Sequence, residues 1–85
     1  MTMTPAQARQ RVAEALARVA PEIDLADVED DVDLREELDI DSMDFRRFVI
    51  ELCQALAVDI PEADYGRLAT LGGAIEYVRE RVASA

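Results

Sequence analysis

The stretch Leu38-Asp-Ile-Asp-Ser-Met-Asp-Phe-Arg-Arg-Phe-Val-Ile50 predicts a loop that turns abruptly into a helix, with Ser42 at the turn. From Phe45 onward the apolar residues recur at the spacing of one helical stripe: Phe45, Phe48, Val49, Leu52 and Leu56. Asp41 and Ser42, which precede the stripe, are both preferred at a helix N-cap. We therefore predict a helix from about Ser42 to Ala57. The simplest interpretation of Ser42 is that it only caps this helix.

Length and composition favour one small domain. The chain has 85 residues, of which 51% are apolar and only 5% aromatic, so we expect a single domain spanning 1–85 with a modest aliphatic core. The single cysteine, Cys53, excludes an internal disulfide and is compatible with a reducing compartment, which favours a cytoplasmic location. The first ten residues lack the apolar region of a signal peptide, and no apolar run is long enough to span a membrane.

The net charge of −10 is concentrated ahead of Ser42. From Glu22 to Asp44 twelve acidic residues face a single base, Arg35, which gives this stretch a net charge of −11. Such a field disfavours nucleic acid and anionic membranes as partners, and it favours basic protein surfaces. The alternative is a solvated acidic loop that meets no partner.

Two further helices flank the central one. Thr4, Pro5 and Gln7 form a helix start with a capping box, and Pro21 ends that helix. The inward face of the first helix is predicted to hold Ala8, Val12, Ala15, Leu16 and Val19. Thr70 is predicted to cap a last helix, whose inward face holds Leu71, Ala74, Ile75, Val78 and Val82. We expect Tyr77 to face outward or to lie at the margin of that face, and Gly72 and Gly73 to let a neighbour approach closely.

The segments between the helices are predicted to be ordered. Residues 22–41 form a long loop with regularly spaced apolar anchors, at Ile23, Leu25, Val28, Val32, Leu34 and Leu38. A short helical turn near Leu34–Leu38 is possible. Ile60 is expected to be an extended core residue before Pro61, and Glu62–Leu68 to form a short helix. No segment alternates with period two, so no strand is predicted.

The sequence offers few residues suited to catalysis or to metal binding. The chain has no His, no Lys and no glycine-rich phosphate loop, and nothing beside Ser42 can accept its proton at neutral pH. A calcium-binding loop would need alternating ligands and a central glycine, and none of the three glycines lies in the acidic stretch. We therefore expect neither an enzyme nor a dedicated metal site.

The sequence around Ser42 resembles a known family. Asp41-Ser42-Met43, after a Leu-x-x-Asp loop and before an amphipathic helix, resembles the Asp-Ser-Leu/Met signature of acyl carrier proteins. The resemblance extends to the length, the acidic charge, Val58-Asp-Ile-Pro-Glu62 and Leu68-Ala-Thr-Leu71, so it spans nearly the whole chain. It implies an all-α fold: a small four-helix bundle with three main helices, one short helix and a long first loop.

The resemblance also implies a function. In that family the serine, here Ser42, carries a 4′-phosphopantetheine arm that a phosphopantetheinyl transferase adds from coenzyme A. The thiol of the arm holds acyl intermediates as thioesters for fatty-acid, polyketide or related lipid and secondary-metabolite biosynthesis. Asp41 is expected to help the transferase engage, and Met43 matches the apolar residue of the motif. Alternatives are a stand-alone aminoacyl or peptidyl carrier, and an unmodified helical adaptor that uses Ser42 only as a cap.

Two positions depart from the family's usual pattern. Asp39 stands where the family often has glycine, so the turn before Ser42 must form without glycine's freedom. The helix after the motif is often acidic, but here it carries Arg46 and Arg47. We predict that acyl-loading and acyl-processing enzymes of a dedicated pathway dock on a monomer through Met43, Asp44, Arg46, Arg47 and Ile50. Alternatively, the two arginines fold back onto acids such as Asp44 and Glu51 as surface ion pairs.

Overall fold

Helices form the framework of this protein. The structure, a computed structural model, describes residues 3–22, 24 and 28–84. Its α-helices are α1 (Pro5–Val19), α2 (Leu34–Glu37), α3 (Ser42–Leu56) and α4 (Leu71–Ser84), and a 3₁₀ helix (Glu62–Leu68) lies between α3 and α4. The described residues contain no strand, only an isolated bridge between Asp33 and Thr70. The all-α prediction of three main helices is therefore confirmed, and the predicted segment 62–68 is a helix of the 3₁₀ type.

The ends of α1 follow from its sequence. The Thr4 hydroxyl accepts a hydrogen bond from the Gln7 backbone N–H at 3.1 Å, and the Gln7 side chain accepts one from the Thr4 N–H at 3.0 Å. This capping box satisfies two of the backbone donors that a helix start leaves without partners. The helix stops at Val19, before Ala20, whose φ of −146° is no longer helical. The predicted start and the effect of Pro21 are both confirmed.

The core lies where the three long helices meet. α1 packs against both α3 and α4, and the 3₁₀ helix packs against α4. The predicted stripe of α3 supplies four buried residues, Phe45, Phe48, Val49 and Leu52, while Leu56 is half-buried. The predicted anchor Ile60 is also buried. Burying such a side chain contributes about 1.5–3 kcal/mol relative to leaving it exposed.

Tyr77 corrects the expectation for α4. Its side chain is only 1% exposed and is the largest fully buried side chain among the described residues. The phenol donates a hydrogen bond to Asp64 in the 3₁₀ helix at 2.7 Å, and the Arg67 guanidinium lies 4.9 Å from the ring centroid. The prediction that Tyr77 faces outward or lies at the margin of the apolar face is wrong, because the 3₁₀ helix covers this side of α4.

The long segment before α3 is anchored to the start of α4. The Gly72 N–H donates to the Asp30 carbonyl at 2.9 Å, and the Leu34 N–H donates to the Ala69 carbonyl at 2.7 Å. Val28 and Leu34 are buried, Val32 and Leu38 are half-buried, and the possible helical turn is present as α2. An ordered loop was therefore predicted correctly at these positions. Ile23 and Leu25 lie outside the described residues.

Close approach to α4 requires glycine at its first turn. A Cβ at Gly73 would lie 2.5 Å from the Arg67 carbonyl oxygen and 2.9 Å from the Thr70 hydroxyl. A Cβ at Gly72 would lie 3.1 Å from the Asp30 carbonyl oxygen. The Thr70 hydroxyl accepts a hydrogen bond from the Gly73 N–H at 3.0 Å, which confirms its role as the cap. The two glycines thus let both the loop and the 3₁₀ helix pack against the start of α4.

Candidate functional site

Ser42 begins α3 but does not cap it. Asp41 is the N-cap, and its carboxylate accepts a hydrogen bond from the Asp44 backbone N–H at 2.8 Å. Ser42 occupies the first helical position, its side chain is exposed, and its hydroxyl forms no hydrogen bond to any described residue. The interpretation of Ser42 as a cap is therefore wrong. The hydroxyl is available for modification because the neighbouring acid takes the capping role.

The turn before Ser42 forms without glycine because Asp39 adopts the left-handed conformation. Asp39 has a φ of 52°, a conformation that aspartate tolerates better than most residues. The next residue, Ile40, is buried, and its N–H donates to the Arg35 carbonyl at 3.1 Å. This pair of features directs the chain from α2 into α3 and fixes where Ser42 emerges.

The predicted docking residues lie along one exposed flank of α3. Met43 is 75% exposed and Ile50 44%, and they are the two large apolar side chains that stand out as exposed in the described part of the molecule. Arg46 and Arg47 are exposed between them, while Asp44 is half-buried. The structure thus brings Ser42 and four of the predicted docking residues, Met43, Arg46, Arg47 and Ile50, onto a continuous exposed region of α3.

Neither arginine of this flank is neutralised by a neighbour. Within the described residues, Arg46 and Arg47 have no ion-pair partner, and Glu51 instead pairs with Arg18 of α1 at 3.4 Å. The alternative in which both arginines fold back onto Asp44 and Glu51 is therefore not what the structure shows. Their charges are presented to solvent.

A groove of about 410 Å³ opens beside Ser42. It lies between the first turn of α3, the start of α2 and the 3₁₀ helix, and is lined by Asp33, Arg35, Ser42, Met43, Phe45, Arg46, Glu62, Tyr65, Gly66 and Ala69. The rings of Phe45 and Tyr65 meet edge to face at 6.4 Å, and the Arg35 guanidinium lies 6.0 Å from the Phe45 centroid. An aromatic wall and four charged side chains thus adjoin the serine.

Several groove residues were not singled out by the sequence. Tyr65 and Gly66 are more than twenty residues from Ser42 along the chain, and the packing of the 3₁₀ helix brings them to the groove, whereas Arg35 reaches it from the nearby α2. The aromatic character of Tyr65 was the one available signal, since aromatic residues are rare in this chain.

The residues at Ser42 suit a covalently attached phosphate-bearing group. An exposed hydroxyl at the first position of a helix offers an attachment point next to the positive end of the helix dipole. Arg46 and Arg35 border the adjoining groove and can offset an added negative charge. The described residues hold no cluster of three or more side chains suited to a metal ion. None of the described helices is both long and apolar enough to cross a bilayer.

Comparisons with known proteins agree on one family. Residues 10–78 match the family model described as phosphopantetheine attachment site. An acyl carrier protein of Lactobacillus johnsonii is 35% identical over 67% of this chain and 71% of its own length. The polyketide-8 synthase acyl carrier protein 2 of Streptomyces avermitilis is 30% identical over 95% of this chain and 92% of its own.

A solved structure extends the likeness to the fold. An acyl carrier protein from Enterococcus faecalis superimposes with a TM-score of 0.75 at 26% identity, covering 93% of this chain and 99% of that one. Acyl carrier proteins bear covalently attached 4′-phosphopantetheine and are carriers on which enzymes act, not enzymes themselves. The chain belongs to this acyl carrier protein family, and its cofactor is 4′-phosphopantetheine.

Proposed function

We propose that Ser42 is the attachment site of the 4′-phosphopantetheine arm. The observation that carries this proposal is the exposed Ser42 hydroxyl at the first position of α3, left without a capping role because Asp41 caps the helix. The Asp41-Ser42-Met43 sequence and its position inside the matched residues 10–78 support the same assignment. When attached, the arm supplies a terminal thiol that carries an acyl group as a thioester.

The attachment site is tested by intact mass. The protein is incubated with coenzyme A, Mg²⁺ and a broad-specificity phosphopantetheinyl transferase, and the increase in mass is measured. Wild type and Ser84→Ala, which alters the only other serine, should gain one arm, while Ser42→Ala should gain none. A modified Ser42→Ala protein, or an unmodified wild type across several transferases, would falsify the assignment.

The flank of α3 beside Ser42 is proposed as the docking surface for partner enzymes. Exposed Met43 and Ile50 supply apolar contact, and Arg46 and Arg47 supply positive charge in an otherwise acidic region. We infer that the partners are the transferase and the acyl-loading and acyl-processing enzymes of a dedicated pathway, acting on a monomer in the cytoplasm. Complementary charge governs mainly the encounter rate and the rejection of wrong partners, so cognate enzymes should present acids opposite these arginines.

A charge reversal tests this choice of partner. Replacing both arginines with Glu should lower the rate of acyl transfer by the cognate enzyme and raise the rate with a fatty-acid synthase enzyme. If neither rate changes, the two arginines have no part in partner choice. If the arm instead carries an aminoacyl or peptidyl group, an adenylating enzyme should load it. An unmodified adaptor would have failed the mass test.

A further inference from the structure

Arg46 and Arg47 are adjacent in sequence but differ in what they border. Arg46 lines the groove together with Ser42, whereas Arg47 does not. Arg46 follows Ser42 by four residues, so the two share one side of α3 and lie one turn apart. Side chains of an α-helix lean toward its N-terminus, so the Arg46 side chain is directed toward the turn that holds Ser42.

A cation near Ser42 would offset the negative charge that a phosphodiester adds to this acidic region. Asp41 and Asp44 flank the serine, and Asp33 and Glu62 line the groove, so a further permanent negative charge meets four nearby acids. Arg46 and Arg35 are the two basic residues of the groove. Across the described residues neither forms an ion pair, although Arg35 contacts the face of the Phe45 ring.

We propose that Arg46, assisted by Arg35, holds the phosphodiester of the arm by charge-assisted hydrogen bonds and so directs the arm along the groove, while Arg47 remains free to meet partner enzymes. This inference rests on Ser42 being the attachment site. A guanidinium suits the task because its planar donors match phosphate oxygens and it stays charged at any working pH. Both arginines lie on the proposed docking flank, but only Arg46 also positions the arm.

The test compares the apo and modified forms of matched variants. The melting temperature is measured before and after modification for wild type, Arg46→Gln, Arg46→Lys and Arg47→Gln, all at low salt. The change caused by modification should be the same in wild type and Arg47→Gln. In Arg46→Gln, modification should change the melting temperature to a lower value than it does in wild type. Arg46→Lys should largely restore the wild-type change, since lysine keeps the charge. High salt should shrink the difference between the two glutamine variants.

A second readout observes the phosphate directly. The ³¹P resonance of the modified protein should move in Arg46→Gln, should move further in the double variant with Arg35→Gln, and should stay in place in Arg47→Gln. Equal thermal and ³¹P responses of Arg46→Gln and Arg47→Gln in proteins that carry the arm would overturn the inference and leave the attachment site intact. A wild type that gains no mass would overturn both.

Discussion

Ala57 ends α3 in a conformation that suits glycine better than alanine. Its φ and ψ are 53° and 41°, in the left-handed region, where a Cβ costs roughly 1–2 kcal/mol. Ala57→Gly should therefore raise the free energy of unfolding by about 0.5–1 kcal/mol, after the greater freedom of glycine in the unfolded chain is deducted. Urea denaturation measures the change.

The control for this substitution is two residues earlier. Ala55 is also exposed but lies inside α3, so Ala55→Gly should lower the free energy of unfolding by about 1 kcal/mol. Two changes of the same sign would contradict the account given for Ala57.

Tyr77 gives the protein a specific alkaline transition. Burial of the phenol, together with its hydrogen bond to Asp64, raises the pKa of Tyr77 to about 12. Because this folded-state pKa is higher than the unfolded value of about 10, the contribution to stability is complete below pH 10 and is lost as pH rises toward 12. We expect the free energy of unfolding to fall across this range.

Matched tyrosine variants isolate the effect. The chain has no lysine and only two tyrosines, so a comparison of Tyr77→Phe with Tyr65→Phe isolates the buried phenol. Tyr77→Phe should lose the high-pH step in ultraviolet phenolate absorbance and should flatten the stability profile between pH 10 and 12. Tyr65→Phe should keep both features. A step that survives in Tyr77→Phe would show that another group causes it.

At the scale of the elements, the start of α4 requires glycine at position 73, whereas the 3₁₀ helix does not require it at position 66. Gly73→Ala should destabilise the protein by on the order of 1–3 kcal/mol, because the new Cβ would meet the Arg67 carbonyl oxygen and the capping hydroxyl of Thr70. Gly66→Ala meets no atom within 4 Å and needs no unusual φ, so it should be neutral or stabilising by up to about 1 kcal/mol. Thermal unfolding of the two variants checks the contrast, and equal losses would refute it.

The elements also show how far sequence reasoning reaches. Capping residues and apolar stripes are local, so the starts of α1, α3 and α4 were predicted from Thr4, the Asp41-Ser42 pair and Thr70. Which of Asp41 and Ser42 caps α3 was not decided by residue preference, because both types are good caps. Backbone geometry decides it in favour of Asp41, and that choice determines whether the serine hydroxyl is available.

Tyr77 illustrates what local patterns cannot supply. The stripe on α4 accounts for contacts with α1, but the burial of Tyr77 depends on the 3₁₀ helix, which packs across a neighbouring side of α4. The groove was missed for the same reason, since Tyr65 and Gly66 reach Ser42 only through that packing. Segment-to-segment packing is therefore the part of this site that sequence periodicity leaves open.

At the scale of the whole molecule, the uneven charge predicts a response to salt. The stretch from Glu22 to Asp44 carries a net charge of −11, and Arg9 of α1 pairs with one of its acids, Asp30, at 3.2 Å. Screening weakens the repulsion among the remaining acids, so the melting temperature should rise when NaCl or Mg²⁺ is added. A melting temperature that changes with neither salt would show that repulsion among these acids does not limit stability.

The hydrogen bonds from Leu34 to Ala69 and from Gly72 to Asp30 also bear on the order in which the molecule is made and matures. Ser42 is synthesised well before residues 69–72, yet the loop that leads to it gains its backbone anchors only when those residues exist. The same late segment supplies Ala69 to the wall of the groove. A chain that ends before residue 69 would lack both backbone anchors and this part of the groove wall, so Ser42 would stand without the surroundings that the folded chain gives it.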